Sequence, residues 1–424
     1  MELNCGLAFS SSLLNSTHLT IKYNINRIIE MGLPGGFQFT GIACGIKPSG
    51  KLDLAVVSSQ TPCVAVGVYT QNIVRAASIE WNQQLTPTEE FKALIINSGN
   101  ANACTGQQGI DDNQTIATIA AKHLDVQENQ VLVLSTGVIG QHLPMSQTAS
   151  GIAQAISEQG SSRDHFERAS MAILTTDKGP KTVESTVSIE SGDIKIAGMA
   201  KGAGMIGPKM ATMLAIIVSD AKIDTGKAQQ ILNRAVERSF NRISVEGHTS
   251  TNDALIMICN GDSGIEIDSA DALKEFENAI TENCIQLAKQ IPADGEGASH
   301  LITIDIHGAA DDQQADRVAR TVAASALVKT AITGADPNWG RIVSAAGYAG
   351  AEMDVPMTSL KLNGFLVFEH GQPVDFDEKQ VSQALNDQFE TLIELTIGRG
   401  SGFARHWTSD LTQEYVRFNS EYTT

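Results

Sequence analysis

Residues 201–220 read KGAGMIGPKMATMLAIIVSD, and this stretch indicates both the fold and the chemistry of the chain. A glycine-rich segment ends at Thr212, and a continuous apolar run over residues 214–218 follows. A short apolar run bounded by turn residues is typical of a buried strand. We therefore predict a strand here, with the Thr212 hydroxyl at its start.

The position of Thr212 suits a chain that cuts its own backbone on the amino side of this threonine. Cleavage after Ala211 would free the α-amino group of Thr212, which can then act as the base for the neighbouring hydroxyl. An ordinary glycine-rich turn before a core strand would have the same sequence pattern, and such turns are common. The local pattern by itself leaves both interpretations open.

The composition is that of a large acidic protein. With 424 residues the chain is long enough for two or three domains. Its net charge of −18 argues against nucleic-acid binding and against an anionic membrane surface, because both favour basic patches. No apolar run is long enough to cross a bilayer, and the first thirty residues lack the pattern of a signal peptide.

The six cysteines indicate a reducing compartment. They form no C-x-x-C pair and no metal-ligand spacing, so we expect buried free thiols, no bound metal and a cytoplasmic location. Residues 1–30 are rich in Ser, Thr and Asn, and we predict that they form an extension outside the fold, with Met31 as an alternative start.

Strand-like and helix-like segments alternate through the middle of the chain, which predicts an α/β protein. The apolar runs that predict strands are 54–57, 94–96, 131–134, 214–218 and 301–306. Apolar residues at helical spacing predict helices over 228–236, after an N-cap at Asp224 or Thr225, and over 273–291. A third, alanine-rich helix is predicted over 316–330.

Two polar turns follow predicted strands. Ser135-Thr136-Gly137 places a hydroxyl and an unhindered backbone amide side by side, and such a pair can donate hydrogen bonds to a developing oxyanion. Isolated turns of this kind are frequent, so the motif alone is ambiguous. Residues 97–106 contain three asparagines, which more often shape a loop through bonds to the backbone than bind a ligand.

Further polar motifs are ambiguous when each is taken alone. Thr175 and Thr176 form an adjacent hydroxyl pair, and Glu296 lies between two glycines, where a solvated loop carboxylate is the simpler interpretation. Residues 249–253 and 334–341 are the other unusual runs. The second of them, GADPNWGR, holds one of only three tryptophans.

As a set, these motifs resemble the ornithine acetyltransferase family, the glutamate N-acetyltransferases of the cyclic arginine pathway. The resemblance covers the chain from about residue 32 to its end. It rests on GIK at 45–47, residues 97–106, STG at 135–137, TTD at 175–177, residues 201–214, TSTND at 249–253, DGEG at 294–297, GADPNWGR at 334–341 and the tail over 415–424. So many motifs in this order leave little room for chance.

The resemblance implies a self-processed α/β sandwich that is functionally analogous to N-terminal nucleophile hydrolases but differs from them in topology. The precursor would be cut between Ala211 and Thr212 into an α fragment, 31–211, and a β fragment, 212–424, which stay together and usually pair as α2β2. Thr212 would be the nucleophile, while Thr136 and Gly137 would stabilise the oxyanion. The implied reaction moves the acetyl group of N2-acetyl-L-ornithine to L-glutamate through an acetyl-threonine, without a cofactor.

The family match also implies a substrate pocket. Its residues would be Thr176, Lys201, Thr212, Glu296, Asn419 and Thr424, with Thr175 left open as the alternative to Thr176. We expect Lys201 to meet the carboxylate common to both substrates, because a point charge suits an anion. We expect Glu296 to meet a cationic amine.

Three departures from the family pattern bear on substrate choice. His248 stands where aspartate is usual, Lys209 where asparagine is frequent, and Arg405-His406 where small residues are common. Neutral drift explains such changes on exposed loops. A change in the pocket would instead add positive charge there.

Two other functions fit the same junction. A bifunctional enzyme would also accept acetyl-CoA as the acetyl donor to glutamate, and no residue decides for or against it. An N-terminal nucleophile amidase or peptidase would likewise cut itself and use Thr212, although the matches at Glu296 and in the tail argue against it. In each case we expect small-molecule substrates, with neither a nucleic acid nor a membrane as partner.

Overall fold

A computed structural model describes residues 32–207 and 213–421 of the chain. Within these ranges the chain forms two β-sheets with helices packed on their faces, which confirms the predicted α/β class. Ala211, Thr212 and Thr424 lie outside the described residues, as does the predicted extension over 1–30. The three-part division of the chain therefore stays a prediction.

The described ranges contain strands and helices in alternation. In chain order the strands are β1 (Phe37–Ile42), β2 (Leu54–Tyr69), β3 (Thr88–Asn100), β4 (Val131–Val138), β5 (Lys181–Ile189), β6 (Gly192–Lys201), β7 (Leu214–Ser219), β8 (Ile243–Ser244), β9 (Ala254–Cys259), β10 (Leu301–Ala309), β11 (Ser359–Leu362), β12 (Phe365–Glu369), β13 (Gln372–Pro373), β14 (Glu390–Thr396) and β15 (Gly402–Ser409). The helices are α1 (Ala77–Leu85), α2 (Gly106–Leu124), α3 (Met145–Ser157), α4 (Arg163–Ala172), α5 (Thr225–Arg238), α6 (Ala270–Ala293), α7 (Asp312–Ala324), α8 (Ala326–Thr333), α9 (Trp339–Gly347), α10 (Glu378–Asp387) and α11 (Gln413–Glu421). None of these helices is long and apolar enough to cross a membrane. Each apolar run that predicted a strand lies within one, in β2, β3, β4, β7 and β10.

The first sheet has the strand order β4-β3-β2-β9-β7-β6-β5, with β1 paired to β2. The pairs β3–β4 and β7–β9 are parallel, and the other pairs are antiparallel. Every residue of β7 is buried. Its alternate side chains enter opposite cores, because Ala215 and Ile217 pack beneath α5 and α6 while Leu214, Ile216 and Val218 pack on the other face. A strand covered on both faces reads as an unbroken apolar run, which explains why this one is visible in the sequence.

The second sheet has the strand order β13-β12-β11-β14-β10-β15-β8. One of its faces packs against α7 to α10 in a core that includes Ile304 and Leu395. From the other face, Leu301 and Trp407 join the core beneath α5 and α6. The helix layer of α5 and α6 is therefore shared between the two sheets.

Two of the predicted helices are confirmed and the third is wrong. α5 begins after Asp224, whose side chain accepts the Lys227 N–H at 2.9 Å, and α6 contains the whole apolar stripe over 273–291. The single helix predicted over 316–330 is two helices, because Ser325 ends α7 and begins α8. Its backbone is extended and its side chain accepts the Val328 N–H. An N-cap thus interrupts an alanine-rich run that would otherwise continue as one helix.

The cysteines of the described ranges are all free thiols. Cys63, Cys259 and Cys284 are buried, as expected, and Cys44 is partly buried. Cys104 is exposed, which departs from the expectation, because it lies in the polar turn after β3 rather than in the core.

Candidate active site

A cavity of about 180 Å³ lies where the carboxyl ends of β4 and β6 meet the loops that precede β9 and follow α6. The described residues that line it are Ala101, Thr136, Gly137, Ile139, Thr175, Thr176, Lys201, Gly204, Met205, Glu246, His248, Ser250, Thr251, Asn252, Glu296, Tyr415 and Asn419. All the described residues that the sequence nominated for the oxyanion and for the substrate are among them. The fold therefore brings together side chains from both sides of the proposed cut.

Thr136 and Gly137 lie at the end of β4, beside the irregular end of β3. Gly137 has a φ of +139°, which L side chains rarely adopt. A Cβ at this position would stand 2.2 Å from the backbone carbon of Gly99. Only glycine allows the two strand ends to approach so closely, and Thr136 and Gly137 both line the cavity at this point.

Lys201 is the last residue of β6 and is buried beside this turn. Its Nζ donates to Thr175 Oγ1 at 2.7 Å and to Thr136 Oγ1 at 3.3 Å. Because the Thr136 oxygen accepts from Lys201, the Thr136 O–H proton remains for another acceptor. An ammonium has three N–H donors, so one remains beyond these two bonds to described residues. Burial lowers the pKa of Lys201, and the nearby Asp177 carboxylate opposes that shift.

Asp177 supplies the negative charge that balances the buried lysines. Its Oδ1 accepts the Gly202 N–H at 2.7 Å and Lys181 Nζ at 2.7 Å. Lys181 also pairs with Asp294 at 2.6 Å. Burial raises the pKa of Asp177, but Lys201 and Lys181 outweigh burial and hold the pKa at about 2. The carboxylate is therefore ionised at neutral pH.

Glu296 is held by side chains from two distant parts of the chain. Thr176 Oγ1 donates to its Oε1 at 2.6 Å, and Asn419 Nδ2 donates to its Oε2 at 3.1 Å. Glu296 is therefore not the free, solvated loop acid of the simpler interpretation. Thr175 bonds to Lys201 whereas Thr176 bonds to Glu296, so both threonines of the pair lie in the cavity with different partners.

Met213, which directly follows Thr212, is held on both sides of its backbone. Asp253 Oδ1 accepts the Met213 N–H at 2.9 Å, and the first N–H of β9 donates to the Met213 carbonyl at 3.1 Å. Leu214 then pairs with Lys201 in the antiparallel β6–β7 ladder. The start of β7 is therefore fixed beside Lys201.

Asparagine side chains fix the turns that surround Thr136 and Gly137. Asn252 Nδ2 donates to the carbonyls of Ala101 at 2.7 Å and Ser135 at 2.8 Å, which ties together the turns after β3 and β4. Asn97 Nδ2 donates to the Asn100 carbonyl at 2.8 Å. The expectation that the asparagines of 97–106 shape their loop is confirmed.

Glu246 is a cavity residue that the sequence did not single out. The one available signal was its place just before the polar run over 249–253. Neither of its carboxylate oxygens has a hydrogen-bond partner among the described residues, although both are buried. Burial raises the pKa of Glu246 to about 7, and the neighbouring Glu296 adds to the shift.

The three departures from the family pattern do not share one location in the described structure. His248 lines the cavity and adds a basic side chain there. Arg405 pairs with Asp305 at 2.5 Å, and His406 bonds to Asp316 at 2.7 Å, so both are engaged within and beside the second sheet rather than at the cavity. Lys209 lies outside the described residues.

Comparison with known proteins identifies the family. The model of the ArgJ family matches residues 38–424. The chain belongs to the ArgJ family. The arginine biosynthesis bifunctional protein ArgJ of Rhodopirellula baltica is 48% identical over 92% of this chain and 96% of that protein. The ArgJ protein of Synechocystis sp. is 42% identical over 92% of this chain and 97% of that protein.

A solved structure of an ArgJ protein is also similar to part of the chain. The ArgJ protein of Bacillus halodurans is 38% identical, covers 48% of this chain and 96% of the solved chain, and has a TM-score of 0.47. The family that the motifs indicated is thus confirmed by the family model and by the sequence relatives.

Proposed function

We propose that the chain is a glutamate N-acetyltransferase of arginine biosynthesis, which moves the acetyl group of N2-acetyl-L-ornithine to L-glutamate. The observation that carries the proposal is the convergence of Thr136, Gly137, Lys201 and Glu296 on one cavity beside the start of β7. Relatives at 42% and 48% identity over 92% of the chain are named arginine biosynthesis bifunctional proteins, which supports the same pathway.

The first half-reaction makes the acetyl-enzyme. After cleavage between Ala211 and Thr212, Thr212 Oγ attacks the acetyl carbonyl carbon while the α-amino group of Thr212 takes the hydroxyl proton. The oxyanion accepts from the Thr136 O–H and the Gly137 N–H, and such a pair of donors lowers the barrier by stabilising the charge that develops in the transition state. The amide C–N bond then breaks, the proton passes to the departing amine, and L-ornithine leaves.

The second half-reaction reverses these roles. The amine of L-glutamate attacks the acetyl ester, the same two donors hold the oxyanion, and the bond between the acetyl carbonyl carbon and Thr212 Oγ1 breaks. The proton released by the attacking amine returns to Thr212 Oγ through the α-amino group. N-acetyl-L-glutamate leaves, and the free nucleophile is restored.

Charge complementarity supports the positions of the two substrate ligands. Lys201 has one N–H left beyond its bonds to Thr136 and Thr175, and it is assigned to the α-carboxylate that both substrates share. Glu296 is assigned to a cationic amine, since its carboxylate is fixed by Thr176 and Asn419. Thr424 completes the proposed set through the tail that follows α11.

Denaturing intact mass spectrometry tests the proposal, with protein incubated alone, with N2-acetyl-L-ornithine, and with acetylornithine plus L-glutamate. We expect two fragments, 1–211 and 212–424, and the gain of one acetyl group on 212–424 only when glutamate is absent. The matched control is Thr212→Ala, which should remain one uncut chain and gain no acetyl group. A wild-type chain that stays uncut and unacetylated would contradict the proposal.

The same experiment separates the alternatives. The word bifunctional in the names of the relatives favours a second donor, so we also propose that acetyl-CoA acetylates the same fragment. That arm replaces acetylornithine with acetyl-CoA, and no mass gain would restrict the enzyme to acetylornithine. Rapid release of acetate without glutamate would instead indicate an amidase.

A further inference from the structure

One buried carboxyl group of the cavity has no task in the mechanism above. Glu246 lies in the loop after β8 and lines the cavity together with Glu296. Glu296 has both oxygens engaged by Thr176 and Asn419, whereas both oxygens of Glu246 are buried without a hydrogen-bond partner among the described residues. A buried carboxyl group without a partner costs stability, so its retention at a ligand cavity suggests a partner that arrives with the ligand.

The groups packed around Glu246 have opposing effects on its ionised form. Lys329 of α8 attracts the ionised form, but its Nζ already donates to the Val245 carbonyl. Glu296, from the loop after α6, and Tyr415 of α11 lie close by, and Glu296 repels the ionised form. His248, in the same loop as Glu246, also lines the cavity.

The proposed reaction requires one cavity to accept side chains of opposite charge. The departing product, ornithine, has a cationic side chain, and the next substrate, glutamate, has an anionic one. Among the described lining residues the basic side chains are those of Lys201, assigned to the shared α-carboxylate, and His248. The anionic side chain of glutamate must therefore enter a cavity that already holds two carboxyl groups.

We propose that Glu246 determines side-chain acceptance by changing its protonation between the two half-reactions. Ionised, its carboxylate accepts an N–H from the side-chain ammonium of acetylornithine. Protonated, it donates its O–H to the side-chain carboxylate of glutamate. The inference rests on the proposed function, and it places Glu246 beside Glu296 at the part of the cavity that meets the side-chain end of the substrate.

The titration of Glu246 agrees with this role. Burial and Glu296 raise its pKa to about 7, and Lys329 and the backbone amides of Ile206 and His248 offset only part of the rise. The two backbone amides lower the pKa of Glu246, although neither makes a hydrogen bond of normal geometry to either carboxylate oxygen. Near neutral pH little free energy is therefore needed to add or remove the proton. A cationic side chain should be accepted better as the pH rises through about 7, and an anionic one better as it falls.

Steady-state kinetics of Glu246→Gln from pH 6 to pH 8.5 test the inference. Glutamine keeps the size and an N–H donor but cannot ionise. The ratio of variant to wild-type kcat/KM cancels titrations that both proteins share, including that of the Thr212 amine. We expect the ratio for acetylornithine to fall about tenfold between pH 6 and pH 8, since a group with a pKa near 7 goes from about 10% to about 90% ionised. The ratio for glutamate should rise over the same range.

Two further variants control for structure. Glu246→Asp keeps a carboxyl group and should retain a pH-dependent preference, whereas Glu275→Gln, at an exposed position of α6, should match wild type at every pH. The inference is overturned if Glu246→Gln changes both substrates by one factor at all pH values. It is equally overturned if that variant behaves as wild type.

Titration calorimetry of the wild-type enzyme gives a readout that needs no turnover. L-ornithine and L-glutamate are titrated separately near pH 7 in two buffers of different ionisation enthalpy, with Glu246→Gln as reference. We expect a proton release on ornithine binding and a proton uptake on glutamate binding, both absent from the variant. Proton exchange of the same sign for both ligands contradicts the inference. Failure of the proposed function is distinct, because it appears as a wild-type enzyme that transfers no acetyl group.

Discussion

At the scale of single residues, the site depends on which atom of a side chain is already engaged. Lys201 donates to the oxygen of Thr136, so the hydroxyl proton of Thr136 remains for another acceptor, which in the proposed mechanism is the oxyanion. A neighbouring ammonium also makes this hydroxyl a stronger donor, because charge-assisted bonds are stronger than neutral ones. The same lysine holds Thr175, which fixes its own position.

Substitution of Thr136 by alanine should remove one oxyanion donor. We expect kcat to fall by about 10² to 10³, with KM for acetylornithine changed little, since the donor acts mainly on the charge that develops in the transition state. Steady-state assays of ornithine release measure this, with Thr118→Ala on the exposed face of α2 as the matched control. A loss confined to KM would show that Thr136 binds substrate instead.

At the scale of elements, a buried ion network joins segments that carry the site. Asp177, in the loop before β5, bonds to Lys181 at the start of β5 and to the Gly202 N–H just after β6. Lys181 continues to Asp294 at the end of α6. The network therefore sets the relative positions of β5, β6 and α6, and through them those of Lys201 and Glu296.

Acid should weaken this network in a defined range. The pKa of Asp177 is about 2 in the folded chain against an ordinary 3.8, so its stabilisation is complete above about pH 4 and is lost as the pH falls toward 2. The difference in free energy of unfolding between wild type and Asp177→Asn should shrink by roughly 2 kcal/mol over that range. Urea unfolding at pH 7, 4 and 2 measures it, and Asp268→Asn, at an exposed position, is the control. A difference that is constant with pH would contradict the assignment.

At the scale of the whole molecule, the first sheet interleaves the two proposed fragments. β9 and β7 belong to 212–424, yet they lie between β2 and β6 of 31–211 in the strand order. The ladders β2–β9 and β6–β7 each pair six residues. The proposed cleavage before Thr212 would therefore break one peptide bond without separating any pair of strands.

The cut fragments should accordingly remain associated under native conditions. Native mass spectrometry should show 1–211 and 212–424 as one assembly, of the size of α2β2 if two copies pair, and only denaturant should release the fragments. Strand ladders and a shared core hold the two fragments together. Separating the fragments would break the ladders and expose the apolar core to water, and this would cost far more free energy than cleavage of the peptide bond provides. Two fragments that separate on native size exclusion would show that the sheet does not hold after cleavage. Thr212→Ala, left uncut, gives the reference elution volume.

The sequence by itself determined the apolar runs of the buried strands, the stripes of α5 and α6, the loop-shaping asparagines and, through its motifs, the family. These signals are local, because apolar runs, helical stripes and helix caps are patterns of neighbouring residues. One local signal was missed: the N-cap at Ser325 divides a helix that the alanine content had predicted as continuous. Only the tertiary structure decided that Thr175 bonds to Lys201 while Thr176 bonds to Glu296. It also decided that His248 lines the cavity while Arg405 pairs with Asp305 elsewhere. Finally, it identified Glu246 as a residue of the cavity. The physical reason is that a carboxyl group acquires its function from the charges and burial around it, and those come from residues far away along the chain.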